Sequence, residues 1–273
     1  MPSSSSFASH LSLHRDGRPT RDCPRTWGFP PPIPVRRSPK PPRGSRPPDH
    51  NSRSPPSTGG PRPLDNALPD FEAVHLACKN YIDNGSDVIL AMHSYGGVAG
   101  SGGAKGLRPQ DTANGKGIIA LVYYAAFVLD EGSSLVDAFG GGHAPWARLH
   151  KEIGSAGWMY PNSDPFEPGT LFYNDCTKEL QDENVSKLRV WSEAAAHTKM
   201  PCTAWKEIES SYLVCTLDNA CPAKPVQEMF AEKIRGVSGR VEYIEASHSP
   251  FLSKPDELAM FIRNCHKPPE IYQ

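Results

Sequence analysis

From Val88 to Met92 the chain runs Val-Ile-Leu-Ala-Met, five apolar positions without a polar break. A strand with one solvated face would alternate, so an unbroken run predicts a parallel strand covered on both faces. Upstream, Phe71, Val74, Leu76, Ala77 and Tyr81 recur in partial helical period. With Asp70 as a cap and Asn84-Gly85 as a stop, they predict a helix over 71–83. Three further strands follow. Gly117 to Val128 is a second buried run, Tyr212 to Thr216 is short and rich in β-branched residues, and Val241 to Ser247 alternates with period two. Pro225 to Ile234 and Lys254 to Cys265 read as outer helices after the last two strands. Helices alternating with buried strands predict an α/β fold, a mostly parallel sheet with helices on both faces.

Between the second and third strands, residues 132–205 carry Trp146, Trp158, Tyr160, Phe166, Phe172, Tyr173 and Trp191 among short helical patterns. They predict a small helical cap, its aromatics divided between its own core and an apolar pocket beneath. The amino-terminal quarter differs. Residues 1–63 hold 16 of the 29 prolines, and 11 Lys and Arg against three acids, with no long apolar run. Such a segment buries too little surface to offset its ordering entropy and is expected to be disordered, leaving residues 64–273 as the folded domain. The net charge of -1 therefore divides into +8 on the first 63 residues and -9 on the rest. Pro31-Pro32-Ile33-Pro34-Val35-Arg36 fits a ligand for proline-recognition modules, a pattern that any proline-rich stretch produces by chance. No run reaches the 18 or so apolar residues of a membrane span, and the first 15 residues lack the hydrophobic core of a signal peptide. The seven cysteines are scattered from Cys23 to Cys265, as expected of free thiols in a reducing, cytoplasmic compartment.

The chemistry begins where the first strand ends. Met92-His93-Ser94-Tyr95-Gly96-Gly97 runs a buried strand into a tight turn and a glycine-rich helix start, which projects the Ser94 hydroxyl from the sheet. Such an elbow needs a small residue two places after the serine, and Gly96 fills that place, with Gly97 beside it. The generic pattern also has glycine two places before the serine, where this chain has Met92. A serine hydroxyl is a weak nucleophile, so it needs a histidine to take its proton and a carboxylate to orient the imidazole. Asp218 and His248 each follow a predicted strand. An aspartate there is more often a turn or cap residue, and Asp130, after the Ile118–Leu129 run, is a rival acid. The order Ser94, Asp218, His248 is nevertheless that of α/β-hydrolases and not of the chymotrypsin- or subtilisin-like proteases. Other chemistries find less support. Gly100-Ser101-Gly102-Gly103-Ala104-Lys105 puts lysine at the third glycine of a dinucleotide loop and lacks the Lys-Ser/Thr of a phosphate loop. No histidine pair has zinc spacing, so neither a metal nor another cofactor is implied, nor a nucleic-acid partner.

Met92 to Gly97, Tyr212 to Asp218 with Pro222 and Gln227, and Ser247-His248-Ser249-Pro250-Phe251-Leu252-Ser253 resemble the compact α/β-hydrolases, a group with plant methyl-ester esterases, hydroxynitrile lyases and many fungal relatives. The resemblance spans about Ser54 to Cys265. It implies Ser94 as nucleophile, His248 as base, Asp218 as acid and the Tyr95 backbone N–H as one oxyanion donor, acting on a small ester. In the lyases a lysine follows the histidine; here Ser249 does, which argues against that activity. The family's first strands and the loop with the second oxyanion donor are not found ahead of Ser54. The expectation is a sheet truncated at its amino-terminal edge, and loss of one donor would cost about 3–4 kcal/mol of transition-state stabilisation. A catalytically impaired remnant with a binding role is the alternative.

Overall fold

The computed structural model describes residues 65–150, 158–161, 166–220 and 224–266, with 150 and 158–161 as backbone only. The expectations for residues 1–63, including the Pro31–Arg36 ligand and the oxyanion loop, lie outside the described residues. In chain order the elements are α1 (Leu68–Asp83), β1 (Val88–His93), α2 (Gly96–Gly103), β2 (Ile118–Tyr124), α3 (Leu135–Ala138), β3 (Ala147–His150), β4 (Trp158–Pro161), α4 (Pro168–Phe172), α5 (Lys178–Val185), β5 (Trp191–Ser192), α6 (Glu193–Ala196), α7 (Ala204–Glu207), β6 (Ser210–Cys215), α8 (Lys224–Arg235), β7 (Arg240–Ile244), α9 (Pro250–Ser253) and α10 (Pro255–Asn264).

Strands β1, β2, β6 and β7 lie side by side in that order, all parallel. The apolar runs of β1, β2 and β6 divide by residue parity, because successive side chains point to opposite faces. Leu90, Met92, Leu121, Tyr123, Tyr212 and Val214 pack in one layer with Phe71, Val74 and Ile82 of α1 and Phe230 and Ile234 of α8. Ile89, Ala91, Val122, Tyr124 and Leu213 pack in the other with Leu258, Phe261 and Ile262 of α10. Each large side chain buried this way contributes about 1.5–3 kcal/mol, so the two-sided core holds the sheet rigidly. Its two central tyrosine hydroxyls are paired: Tyr123 Oη and Ser101 Oγ are 2.8 Å apart, and Tyr212 Oη donates to the Ala126 carbonyl at 2.7 Å. Because all four strands run the same way, the loops after β1, β6 and β7 gather at one edge.

Three elements differ from the sequence reading. α1 begins at Leu68 after Ala67, so Asp70 lies within its first turn and is not its cap. β2 stops at Tyr124 although Ala125 to Leu129 stay buried, because Ala125 takes a left-handed φ of 45° and turns the chain beneath Ser94. Burial alone does not make an apolar run extended. The β2-to-β6 connection, read as helical, also contains a three-stranded antiparallel sheet, β3-β4-β5. Its strands are two to four residues long, too short for a period to show in the sequence. Among the described residues, no helix is long and apolar enough to cross a membrane.

Candidate active site

At the end of β1, Ser94 sits at φ 53°, a left-handed conformation that costs a non-glycine residue about 1–3 kcal/mol. Neighbouring backbone holds it there. The Ser94 N–H donates to the Ala125 carbonyl at 3.1 Å, while its own carbonyl accepts from Gly97 at 3.1 Å and from Phe127 at 3.3 Å. The close approach that the elbow requires falls on Gly97 and not on Gly96. A Cβ at Gly97 would stand 2.2 Å from the Phe127 carbonyl oxygen, whereas one at Gly96 would meet nothing within 4 Å. Further along α2, added carbons at Gly100 and Gly102 would collide with Met92 and Phe71, so those glycines serve close packing against β1 and α1.

The structure brings Ser94, His248 and Asp218 together across 154 and 30 residues of chain. His248 Nε2 lies 3.0 Å from Ser94 Oγ, and His248 Nδ1 lies 2.9 Å from Asp218 Oδ2. A carboxylate only accepts, so Nδ1 carries the proton and Nε2 is left as the acceptor for the serine hydroxyl. The Asp218 and His248 side chains are almost fully buried, and Ser94 is partly exposed. Asp218 is saturated with donors: Oδ1 accepts from the Ala220 N–H at 2.7 Å, and Oδ2 accepts from Gln227 Nε2 at 3.0 Å as well as from His248. The rival Asp130 is occupied elsewhere, its carboxylate 2.7 Å from Lys233 Nζ and half-exposed.

Two supporting residues, His93 and Asp175, carry no role in the sequence reading, and a third, Phe172, enters it only as one of the cap aromatics. His93, buried, places Nε2 2.6 Å from the His248 carbonyl, and the imidazole centroids are 4.6 Å apart. Since a carbonyl only accepts, His93 Nε2 carries its proton and donates. Burial and the nearness of His248 hold the His93 pKa well below the ordinary 6.5, outweighing the bond to that carbonyl, so this ring stays neutral. Asp175 accepts from the Ser247 N–H at 2.9 Å and fixes the loop that carries His248. Phe172 lies 5.6 Å from the His248 ring, on the side where Trp146 and Trp191 cluster. Gln227, noted only within the resemblance, is fully buried with its carbonyl on the Cys215 N–H and its amide on Asp218. The adjacency of His93 to Ser94 was a readable signal; Asp175 gave none.

Tyr95 leads into α2, so its backbone N–H lies at the helix start, where peptide dipoles favour negative charge. Its phenol donates to Asp70 Oδ2 of α1 at 2.8 Å, tying the elbow to that helix. Burial first, and then the Asp70 carboxylate, push the phenol pKa far up, so it remains a donor. The described cysteines, Cys78, Cys176, Cys202, Cys215 and Cys265, are free thiols; burial raises Cys78 to about 11 and Cys265 to about 12.

Residues 18–261 match the sequence profile of the alpha/beta hydrolase family. The match begins well ahead of Ser54, further toward the amino terminus than the motifs alone indicated. An alpha/beta hydrolase, nvfD, of Aspergillus novofumigatus is 32% identical over 197 residues, covering 72% of this chain and 76% of the relative. The crystal structure of a polyneuridine aldehyde esterase superposes with a TM-score of 0.58 at 16% identity, covering 73% of this chain and 79% of that one. A pyrethroid hydrolase, PytH, superposes with a TM-score of 0.53 at 18% identity, covering 78% and 84%.

Proposed function

Since this chain belongs to the alpha/beta hydrolase family, we propose that it is a serine hydrolase cleaving small, uncharged carboxylic esters through Ser94, His248 and Asp218. The observation that carries this reading is the continuous relay from Ser94 Oγ through the His248 ring to Asp218, at 3.0 and 2.9 Å, on a serine held at left-handed φ. Ser94 Oγ attacks the ester carbonyl carbon as its proton passes to His248 Nε2, and the carbonyl oxygen becomes an oxyanion facing the Tyr95 N–H. Collapse expels the alkoxide, which takes that proton from His248 and leaves as the alcohol. Water, deprotonated in turn by His248, then cleaves the Ser94 acyl ester to release the acid. Asp218 keeps the proton on Nδ1 and stabilises the imidazolium in each half-reaction.

Phe172, Trp146 and Trp191 supply the apolar side of the site, which supports a substrate uncharged around its carbonyl. Residues 132–205, which connect β2 to β6 and bear these aromatics, form the cap in this reading, and the domain runs from about residue 64. Ser249 beside His248 is buried and has no ammonium to offer, which favours hydrolysis over a lyase reaction. Free thiols favour a reducing, cytoplasmic setting. The second oxyanion donor, assigned by the resemblance to the chain ahead of α1, falls outside the described residues. A fluorophosphonate probe tests the assignment: it should label the protein at Ser94, and Ser94→Ala should abolish labelling. Labelling at another serine would refute the nucleophile. An unlabelled but folded protein would favour the binding remnant instead.

A further inference from the structure

We propose that His143, Glu193 and His197 form a divalent transition-metal site on the connection between β2 and β6, separate from Ser94. The sequence shows no zinc-spaced pair because His143 comes from the loop after α3, while Glu193 and His197 stand four residues apart around α6. Folding brings their ligand atoms within 4.8 Å of one another. Both imidazoles converge through Nε2 on one oxygen, Glu193 Oε1, at 3.1 Å from His143 and 2.5 Å from His197. Around a tetrahedral Zn2+, with bonds of about 2.0–2.2 Å, ligand atoms stand roughly 3.3 Å apart. The His143 distance is already close to that. His197 has to withdraw by somewhat under an ångström, which its half-exposed side chain permits.

Two imidazoles and one carboxylate are a zinc or cobalt donor set, with no thiolate for copper(I) and too few oxygens for calcium. Exposure of His197 leaves the remaining positions to water. The platform is anchored, since Thr198 Oγ1, next to His197, accepts from the Ala67 N–H at 2.8 Å. The loop is the adjustable partner, with Gly140 and Gly141 both at positive φ just ahead of His143. Three residues after His143, Trp146 packs on Trp191 and on Phe172, which meets the His248 ring. A bound ion would therefore fix the aromatic wall beside the candidate base.

Isothermal titration of the tag-free, chelator-treated full chain with Zn2+ tests the site, with the visible spectrum of Co2+ as a second readout. The expected result is one ion per chain, a Co2+ spectrum of imidazole and oxygen ligands, and a raised melting temperature with Zn2+. His143→Ala and His197→Ala should each weaken binding at least about tenfold. Glu193→Gln keeps an acceptor for both imidazoles but loses the charge, and should weaken binding as much. His266→Ala, at a second histidine beside a carboxylate, should change nothing. No saturable binding, or binding that survives all three ligand substitutions, would overturn the proposal, as would a thiolate-type Co2+ spectrum. These readouts do not depend on Ser94, so the Ser94→Ala protein should bind the ion equally well.

Discussion

Adding one methyl group at each of two adjacent glycines should give effects of opposite sign. At Gly97 the new carbon would lie 2.2 Å from the Phe127 oxygen and 2.9 Å from its nitrogen, against ordinary contact at 3.4 Å or more. Backbone cannot rotate away as a side chain tip can, so α2 and the 125–127 turn must separate by roughly 1 Å. Overpacking of that kind costs about 1–3 kcal/mol, and stretching the Phe127 N–H bond to the Ser94 carbonyl adds about 1 kcal/mol. Against this, alanine gains about 0.5–1 kcal/mol over glycine in a helix. The balance for Gly97→Ala is a loss of about 1–3.5 kcal/mol, or a fall in melting temperature on the order of 3–10 °C for a domain of this size. At Gly96 no atom stands in the way, and only the helix gain remains, a rise of about 2 °C. Thermal unfolding followed by circular dichroism measures both. Probe labelling should slow in the Gly97 variant, because displacing Phe127 releases Ser94 from its left-handed conformation. Equal stability of the two variants would refute the reasoning, and greater damage at Gly96 would restore the position expected from the sequence pattern.

His248→Gln and Asp218→Asn should each lower kcat for an activated ester by at least about 1,000-fold, while Asp130→Asn should leave it within twofold, as roughly expected when a residue lies outside a triad; the reverse result for the two aspartates would exchange the acids. Gln227→Leu strands the buried Cys215 N–H and takes one donor from Asp218, so urea unfolding should show a loss of about 2–4 kcal/mol, with kcat falling more than KM changes. The depressed pKa of His93 means that, as pH falls below 6.5, the unfolded chain takes up a proton that the folded ring refuses. Stability should therefore decline on acidification by about 1.4 kcal/mol per pH unit from this group, until its folded pKa is passed. His93→Gln, which keeps a donor for the His248 carbonyl, should flatten that slope and retain probe labelling; His93→Leu should flatten it and lose labelling. An unchanged slope in both variants would mean that His93 titrates normally.

What was readable in the chain was what local sequence determines. Val88 to Met92 and Tyr212 to Cys215 became strands buried on both faces because continuous apolar runs have few other uses in a short segment. Ser94 and Asp218 were legible because each follows such a run, and His248 because it follows the alternating segment Val241 to Ser247. Their supports were not. Asp175 meets Ser247 across 72 residues and His143 meets Glu193 across 50, and neither residue sits in a pattern that announces its partner. The shift of the close contact from Gly96 to Gly97 has the same origin, since it depends on the left-handed turn at Ala125, which nothing in Tyr124-Ala125-Ala126-Phe127 indicates.

The connection between β2 and β6 is stitched to the relay at one point, and this bears on how a substrate reaches Ser94. The Asn219 side-chain amide donates to the Thr170 carbonyl at 3.3 Å, and that of Asn174 to the Leu217 carbonyl at 3.0 Å, on either side of Asp218. Asp175 holds Ser247, next to His248, and the Ser247 hydroxyl donates to the Phe172 carbonyl at 3.3 Å. Residues 170–175 thus bridge the acid loop and the base loop. Lifting them would break four hydrogen bonds and loosen both catalytic candidates, at about 1 kcal/mol for each bond lost. Opening is cheaper at 139–146, where glycines at positive φ precede His143 and Trp146 packs edge-on against Phe172. Trp146 is therefore the part of the aromatic wall that can shift while Phe172 and the Ser94–His248–Asp218 geometry stay fixed, which is what repeated entry of substrate and release of acid would require in the proposed reaction.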